Sequence, residues 1–192
     1  MRKNYFALIA TVFLLILSPS ISSAHTSGPD GSESEGWVLK LNGHAGTSLD
    51  SFSLNPKITI GGSLYNEILG GAAKWDSSDV SFYHNSSGNG VGYISTFTQP
   101  DSDTIAQFYG RDTNSQGHYI RWTMDINVPR YNDYDTADRK IILAHEFGHA
   151  VGLKDLRDTS NNDKLMYGTT KEWDWPSYPT PADKTGAKEA SK

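Results

Sequence analysis

The chain has 192 residues, a net charge of −5 and no cysteine. With no cluster of Lys and Arg, it lacks the basic face that displaces counterions from nucleic acid and the polybasic patch that anionic membranes attract. Without disulfides, a single domain of this size must be held by an apolar core, and by metal where there is one.

Arg2 and Lys3 precede an apolar run from Tyr5 to Leu17, and small residues follow to Ser22-Ser23-Ala24. That order predicts a secretory signal peptide over 1–24, cleaved after Ala24. The run is too short to span a bilayer as a helix, so no membrane association is expected after cleavage. Losing Arg2 and Lys3 leaves the remainder two charges more negative. An exported chain with no cysteine fits a bacterial exoprotein.

From His25 to Gly36 the residues are polar and without apolar period, which predicts a flexible start to the mature chain. A single domain over 37–192 then begins with a strand at Trp37 to Leu41, followed by a Gly/Asn/Ser-rich loop and a short apolar segment around Ile58-Thr59-Ile60. Ser63 opens a helical pattern with Leu64, Ile68, Ala72 and Trp75 on one face. Strands are predicted at Val80–Tyr83, Gly92–Ser95, Ile105–Tyr109 and His118–Asn127. In the last, Ile120, Trp122, Met124 and Ile126 alternate with polar residues and should share a buried face.

Asp135 or Thr136 can cap a helix over Ala137 to Val151, and Gly152 is its natural stop. A polar loop, the segment Leu165-Met166-Tyr167-Gly168 and an aromatic stretch from Trp173 to Tyr178 follow. Thr180-Pro181 then reads as the cap and first position of a last helix to Ala190. The aromatic stretch suits packing of a lower lobe or the wall of a pocket.

The Ala137 to Val151 helix carries His145-Glu146-Phe147-Gly148-His149, an H-E-x-x-H pattern. Four residues are little more than one turn, so both imidazoles leave the same side and can share one zinc ion. Glu146, about 100° around the helix, stands beside the metal, placed to take a proton from water and pass it to a leaving amine. A third protein ligand is needed before water takes the open position. Gly152 can turn the chain off the helix in a left-handed conformation and return Asp155 to the metal, with Asp158 as the alternative.

H-E-x-x-H-x-x-G-x-x-D with a methionine downstream resembles the metzincin metalloproteases. The aspartate is similar to the snapalysin-type branch, and Leu165-Met166-Tyr167-Gly168 is similar to the matrixins. The resemblance implies an α+β fold with a twisted mixed sheet, an active-site helix and a small irregular C-terminal lobe. It implies that Met166 makes a turn beneath the metal without coordinating it, and that Ile105, Ala106 and Gln107 lie on an edge strand that binds substrate as an added strand. Tyr167 is a candidate wall of the specificity pocket.

The function expected is that of a secreted, monomeric zinc endopeptidase acting on a protein or peptide substrate, with one catalytic Zn²⁺. His84 and His118 stand isolated and read as surface or packed histidines, not as ligands of a second zinc. Asp101, Asp103, Asn161, Asn162 and Asp163 offer oxygens for Ca²⁺ but have no EF-hand spacing, so calcium is unsupported. Two other readings compete. A gluzincin-type protease would take Glu172 or Glu189 as third ligand, and a non-catalytic extracellular binding module would be expected to have lost Glu146 or a ligand.

Overall fold

The computed structural model describes residues 30–40, 43–45, 49–76, 78–168 and 176–192. The proposed signal segment 1–24 lies outside them, as do Leu41, Glu172, Trp173 and Trp175. Among the described residues no helix is long and apolar enough to cross a membrane.

The elements in chain order are β1 (Gly31–Ser32), β2 (Trp37–Val38), β3 (Leu49–Leu54), α1 (Ser63–Ala73), β4 (Ser81–His84), β5 (Gly92–Phe97), β6 (Ala106–Thr113), β7 (Tyr119–Asn127), α2 (Val128–Tyr131), α3 (Thr136–Val151) and α4 (Pro181–Ala190). Five strands form one mixed sheet in the order β4-β3-β5-β7-β6. β3 runs parallel to β4 and β5, β5 runs parallel to β7, and β6 returns antiparallel to β7 at the edge. Over the described residues the molecule is thus α+β, with a mixed sheet and four α-helices.

The strands expected at residues 80–83, 92–95, 105–109 and 118–127 are present, shifted or lengthened by a few residues. In β7 the inward alternation starts one position late. Trp122, Met124 and Ile126 are wholly buried, whereas Ile120 is 57% exposed. A further strand, β3, occupies Leu49–Leu54, where the sequence suggested a loop. It is an interior strand of the sheet, and its polar residues are buried with partners: the Ser53 hydroxyl donates to the Gly92 carbonyl, Ser51 Oγ accepts from the Val91 N–H, and Asp50 accepts from Trp122 Nε1 at 3.1 Å. Partnering removes most of the cost of burying such groups.

The segment before Trp37 also differs from expectation. Gly31 and Ser32 pair with Val38 and Trp37, and Glu33–Glu35 form a 3-10 turn ended by Gly36 in a left-handed conformation. Glu33 ties this polar stretch to the loop after α3. Its carboxylate accepts from the backbone N–H groups of Arg157 and Asp158 and from the Asn161 amide. Residues 30–36 thus pack against the rest of the domain.

Helix α3 is buried on every side from Ile141 to Gly148, as befits a helix held between a sheet and a second layer. Asp135 caps it through the N–H groups of Ala137 and Asp138. On its sheet side Phe147 meets Phe52 and Phe82, with ring centroids 5.5 and 4.8 Å away, and stands edge-on to Trp122. α1 packs alongside α3, and Trp75 beyond its end donates from Nε1 to the Ala144 carbonyl at 2.8 Å. Of the predicted apolar face of α1, Ile68, Ala72 and Trp75 are buried and Leu64 is partly buried against the core.

At Gly152 the chain leaves α3 with φ 119°, and the N–H donates back to Gly148 and His149. A Cβ here would stand 2.6 Å from His44 Cβ, so both strain and overlap oppose any other residue. We expect Gly152→Ala to lower the unfolding free energy by about 2–4 kcal/mol in urea titration. Gly88→Ala, also at positive φ but facing open space, should cost only about 1 kcal/mol.

Candidate metal centre

Two histidines a turn apart on α3 reach one point. His145 Nε2 lies 3.0 Å and His149 Nε2 3.2 Å from Asp155 Oδ1. The three donor atoms lie within 4.8 Å of one another, and among the described residues this is the one group of three able to hold a metal ion. Two ligand atoms at zinc distances and a tetrahedral angle stand about 3.3 Å apart, so small side-chain rotations bring this set to coordination.

The far side of each imidazole is already committed. Nδ1 of His145 donates to the Leu165 carbonyl at 2.8 Å, and Nδ1 of His149 donates to the Leu153 carbonyl at 2.9 Å. A carbonyl only accepts, so each Nδ1 keeps its hydrogen and each neutral ring offers Nε2 as a lone pair. Asp155 is steered likewise. Arg157 donates to its Oδ2 at 2.8 Å and to the Gly168 carbonyl at 3.0 Å, leaving Oδ1 for the centre.

Asp158, the alternative ligand, turns away and caps the 3-10 turn Thr159–Asn161 through the Ser160 N–H. Glu189 pairs with Lys192 at the end of α4, and Glu172 lies outside the described residues. Two of the residues weighed for calcium have other partners. Asn161 donates to Glu33, and Asp163 pairs with Lys164. His118 stands edge-on to His44 with centroids 4.8 Å apart, and His84 packs against Phe52 and Tyr65.

Glu146 is buried beside the centre, and its Oε2 has no hydrogen-bond partner. An orphaned buried carboxylate oxygen is costly to keep. Met166 is buried beneath the helix, its sulfur so close to Gly148 that a Cβ there would meet it at 2.2 Å. The turn carrying Leu165 and Met166 is fixed from α4. The buried Asp183 carboxylate accepts from both backbone N–H groups while closing a capping box with Thr180.

A cleft of about 900 Å³ opens over the centre. Its lining includes His145, Glu146, His149 and Asp155, the edge segment Ile105, Ala106, Gln107 and Phe108, and Tyr167. All four predicted substrate-binding residues therefore face the cleft. Lys40, Lys154 and Arg157 line it too, and nothing in the sequence pattern singled them out. Of the aromatic stretch, Tyr178 is described; it is exposed, under the Lys74 ammonium.

Charge in the centre is strongly coupled. Burial disfavours a charged His145, but the hydrogen bond to Asp155 and the nearby Glu146 and Asp155 carboxylates outweigh it and raise the pKa above 6.5. Burial likewise opposes ionisation of Asp155, yet the hydrogen bonds from His145 and His149 hold its carboxyl far below 3.8. For Asp183 burial prevails over its four hydrogen bonds and pushes the carboxyl up.

No protein-family model matches the sequence, and no curated protein does. Among solved structures, a chain of the GM1-bound form of the ECX AB5 holotoxin aligns with a TM-score of 0.50 at 11% identity, over 86% of this chain and 92% of that one. At that identity the likeness is one of fold alone.

Two outcomes follow from the geometry. Asp155→Ala should weaken metal affinity by more than the about 10–100-fold loss of an outer-shell partner, and Asp158→Ala should leave it unchanged, by calorimetric titration of metal into the stripped protein. In the metal-free chain, the stabilisation from His145 is full below 6.5 and is lost as pH rises through the raised pKa. That from Asp155 holds above 3.8 and is lost as pH falls through the depressed one. Metal needs the same lone pairs, so the rise in Tm on adding it should grow between about pH 5.5 and about pH 8; a flat increment would contradict the coupling.

Proposed function

We propose that the chain is a secreted zinc-dependent endopeptidase of the metzincin type. One observation carries the reading: Nε2 of His145, Nε2 of His149 and Oδ1 of Asp155 converge in a cleft where the buried Glu146 carboxylate has an oxygen without a partner. Two imidazoles and a carboxylate suit zinc, and three protein ligands are the number that leaves a catalytic zinc one open position. When bound, zinc supplies a Lewis acid that polarises a carbonyl and acidifies water.

Glu146 Oε2 accepts the proton of the attacking water and returns it to the amine as the peptide bond breaks. No covalent enzyme intermediate is needed. The carbonyls of Leu165 and Leu153 keep both imidazoles in the ligating tautomer through the cycle. The outer edge of β6, unpaired in the sheet, gives an extended peptide a line of backbone partners beside the centre, so that substrate lies as an added antiparallel strand. Export rests on the charged, apolar and small-residue order of residues 1–24.

A non-catalytic module is the competing reading, and Glu146 separates the two. Binding alone gives no reason to hold an unpartnered carboxylate oxygen at a buried position next to a metal-ligand group. Glu146→Gln should retain one equivalent of zinc by metal analysis and lose about 10²–10⁴-fold in kcat on a broad peptide library. Turnover at the level of the unaltered chain would remove Glu146 from the chemistry.

A further inference from the structure

The C-terminal exit from α3 pairs with the segment that follows β2 and carries Lys40. Leu39 bridges Leu153 antiparallel, the Lys40 N–H donates to the Gly152 carbonyl at 2.7 Å, and the Lys154 N–H donates to the Val38 carbonyl at 2.8 Å. Side chains alternate along such a pair, so Leu39 and Leu153 project one way and Lys40 and Lys154 the other. Leu153 is wholly buried in the core. The two lysines emerge together on the opposite side, and both line the cleft.

Neither ammonium forms an ion pair among the described residues. Arg157, the third cation of the lining, is by contrast occupied by Asp155 and the Gly168 carbonyl. Lys40 is not a fully exposed group. It is half-buried, with Nζ 4.4 Å above the Phe108 ring, and that ring lies 6.2 Å from the ring of His149. Lys40 thus stands one aromatic ring away from a metal-ligating side chain. Burial lowers its pKa to about 8, against the pull of the Glu146 and Asp155 carboxylates. A cation kept partly dry and without a counter-ion is stabilised when an anion enters the cleft. The carboxylates of the lining are Asp103, Glu146 and Asp155, and none of them pairs with either lysine.

We propose that Lys40 and Lys154 form a carboxylate-recognising subsite, by which the cleft selects peptides bearing a carboxylate close to the cleaved bond. This inference rests on the peptidase reading for the identity of its ligand. A peptide presents that group from an acidic side chain or from a free C-terminus.

The test uses synthetic peptides matched except for Glu or Gln at each position flanking the cleaved bond, each made with a free and an amidated C-terminus. Binding is measured calorimetrically on zinc-loaded Glu146→Gln protein and cleavage on the unaltered protein. The carboxylate form should bind about tenfold more tightly than its neutral match, less so at high salt. Lys40→Met should bring that ratio below about twofold, Lys40→Arg should keep it, and Lys154→Gln should reduce it. A ratio set by the free terminus assigns the group to the peptide's end, and one set by Glu assigns it to a side chain. Equal binding of charged and neutral peptides, or a ratio untouched in Lys40→Met, overturns the subsite. Should no peptide be cleaved while the Lys40-dependent ratio persists, the subsite stands and the peptidase reading falls. Cleavage without charge preference gives the reverse.

Discussion

The candidate centre depends on two hydrogen bonds that involve none of its metal-facing atoms, those from Nδ1 of His145 and His149 to the carbonyls of Leu165 and Leu153. Helical spacing brings the rings to the same side, but it leaves each free to rotate and to change tautomer. The carbonyls remove that freedom, and each is itself fixed by tertiary structure. Leu165 belongs to a turn gripped by the buried Asp183, which α4 delivers by closing its own capping box. Leu153 is fixed by its bridge to Leu39 and by burial of its side chain. The last helix and the first strands of the described chain therefore decide whether a helix in its middle can bind metal.

Asp155 arrives by a comparable chain of support. Arg157 orients its second oxygen, and the backbone of Arg157 is held by Glu33 from more than a hundred residues away. Such a site is preorganised by its surroundings, which is what a metal centre needs if its ligands are to keep their geometry while substrate comes and goes.

What could be read from sequence was what short-range pattern encodes. Asp135, the H-E-x-x-H spacing, Gly152 and the Thr180-Pro181 start are local signals, and each element they mark stands where the pattern put it. β3 was illegible because Leu49-Asp-Ser-Phe-Ser-Leu54 sits inside the sheet with buried polar residues, and their partners, Gly92, Val91 and Trp122, lie about 40 to 70 positions away. Glu33, Lys40, Arg157 and Asp183 were missed for the same reason. Their roles come from contacts across the chain, not from spacing within it. Asp183 left the one usable hint, an acid three positions after Thr180, but capping accounts for it completely until Leu165 and Met166 are seen against it.

The pattern H-E-x-x-H leaves its third and fourth positions open, and here both are filled by necessity. Phe147 is the side chain by which α3 grips the sheet, and at Gly148 the bare backbone is what lets the Met166 sulfur and the Trp75 ring close beneath the centre. A motif that specifies three residues in general therefore specifies five in this framework. Anyone recombining or redesigning this helix has no silent position between the two imidazoles, and variation has to be sought in the cleft walls, where side chains face open space instead of one another.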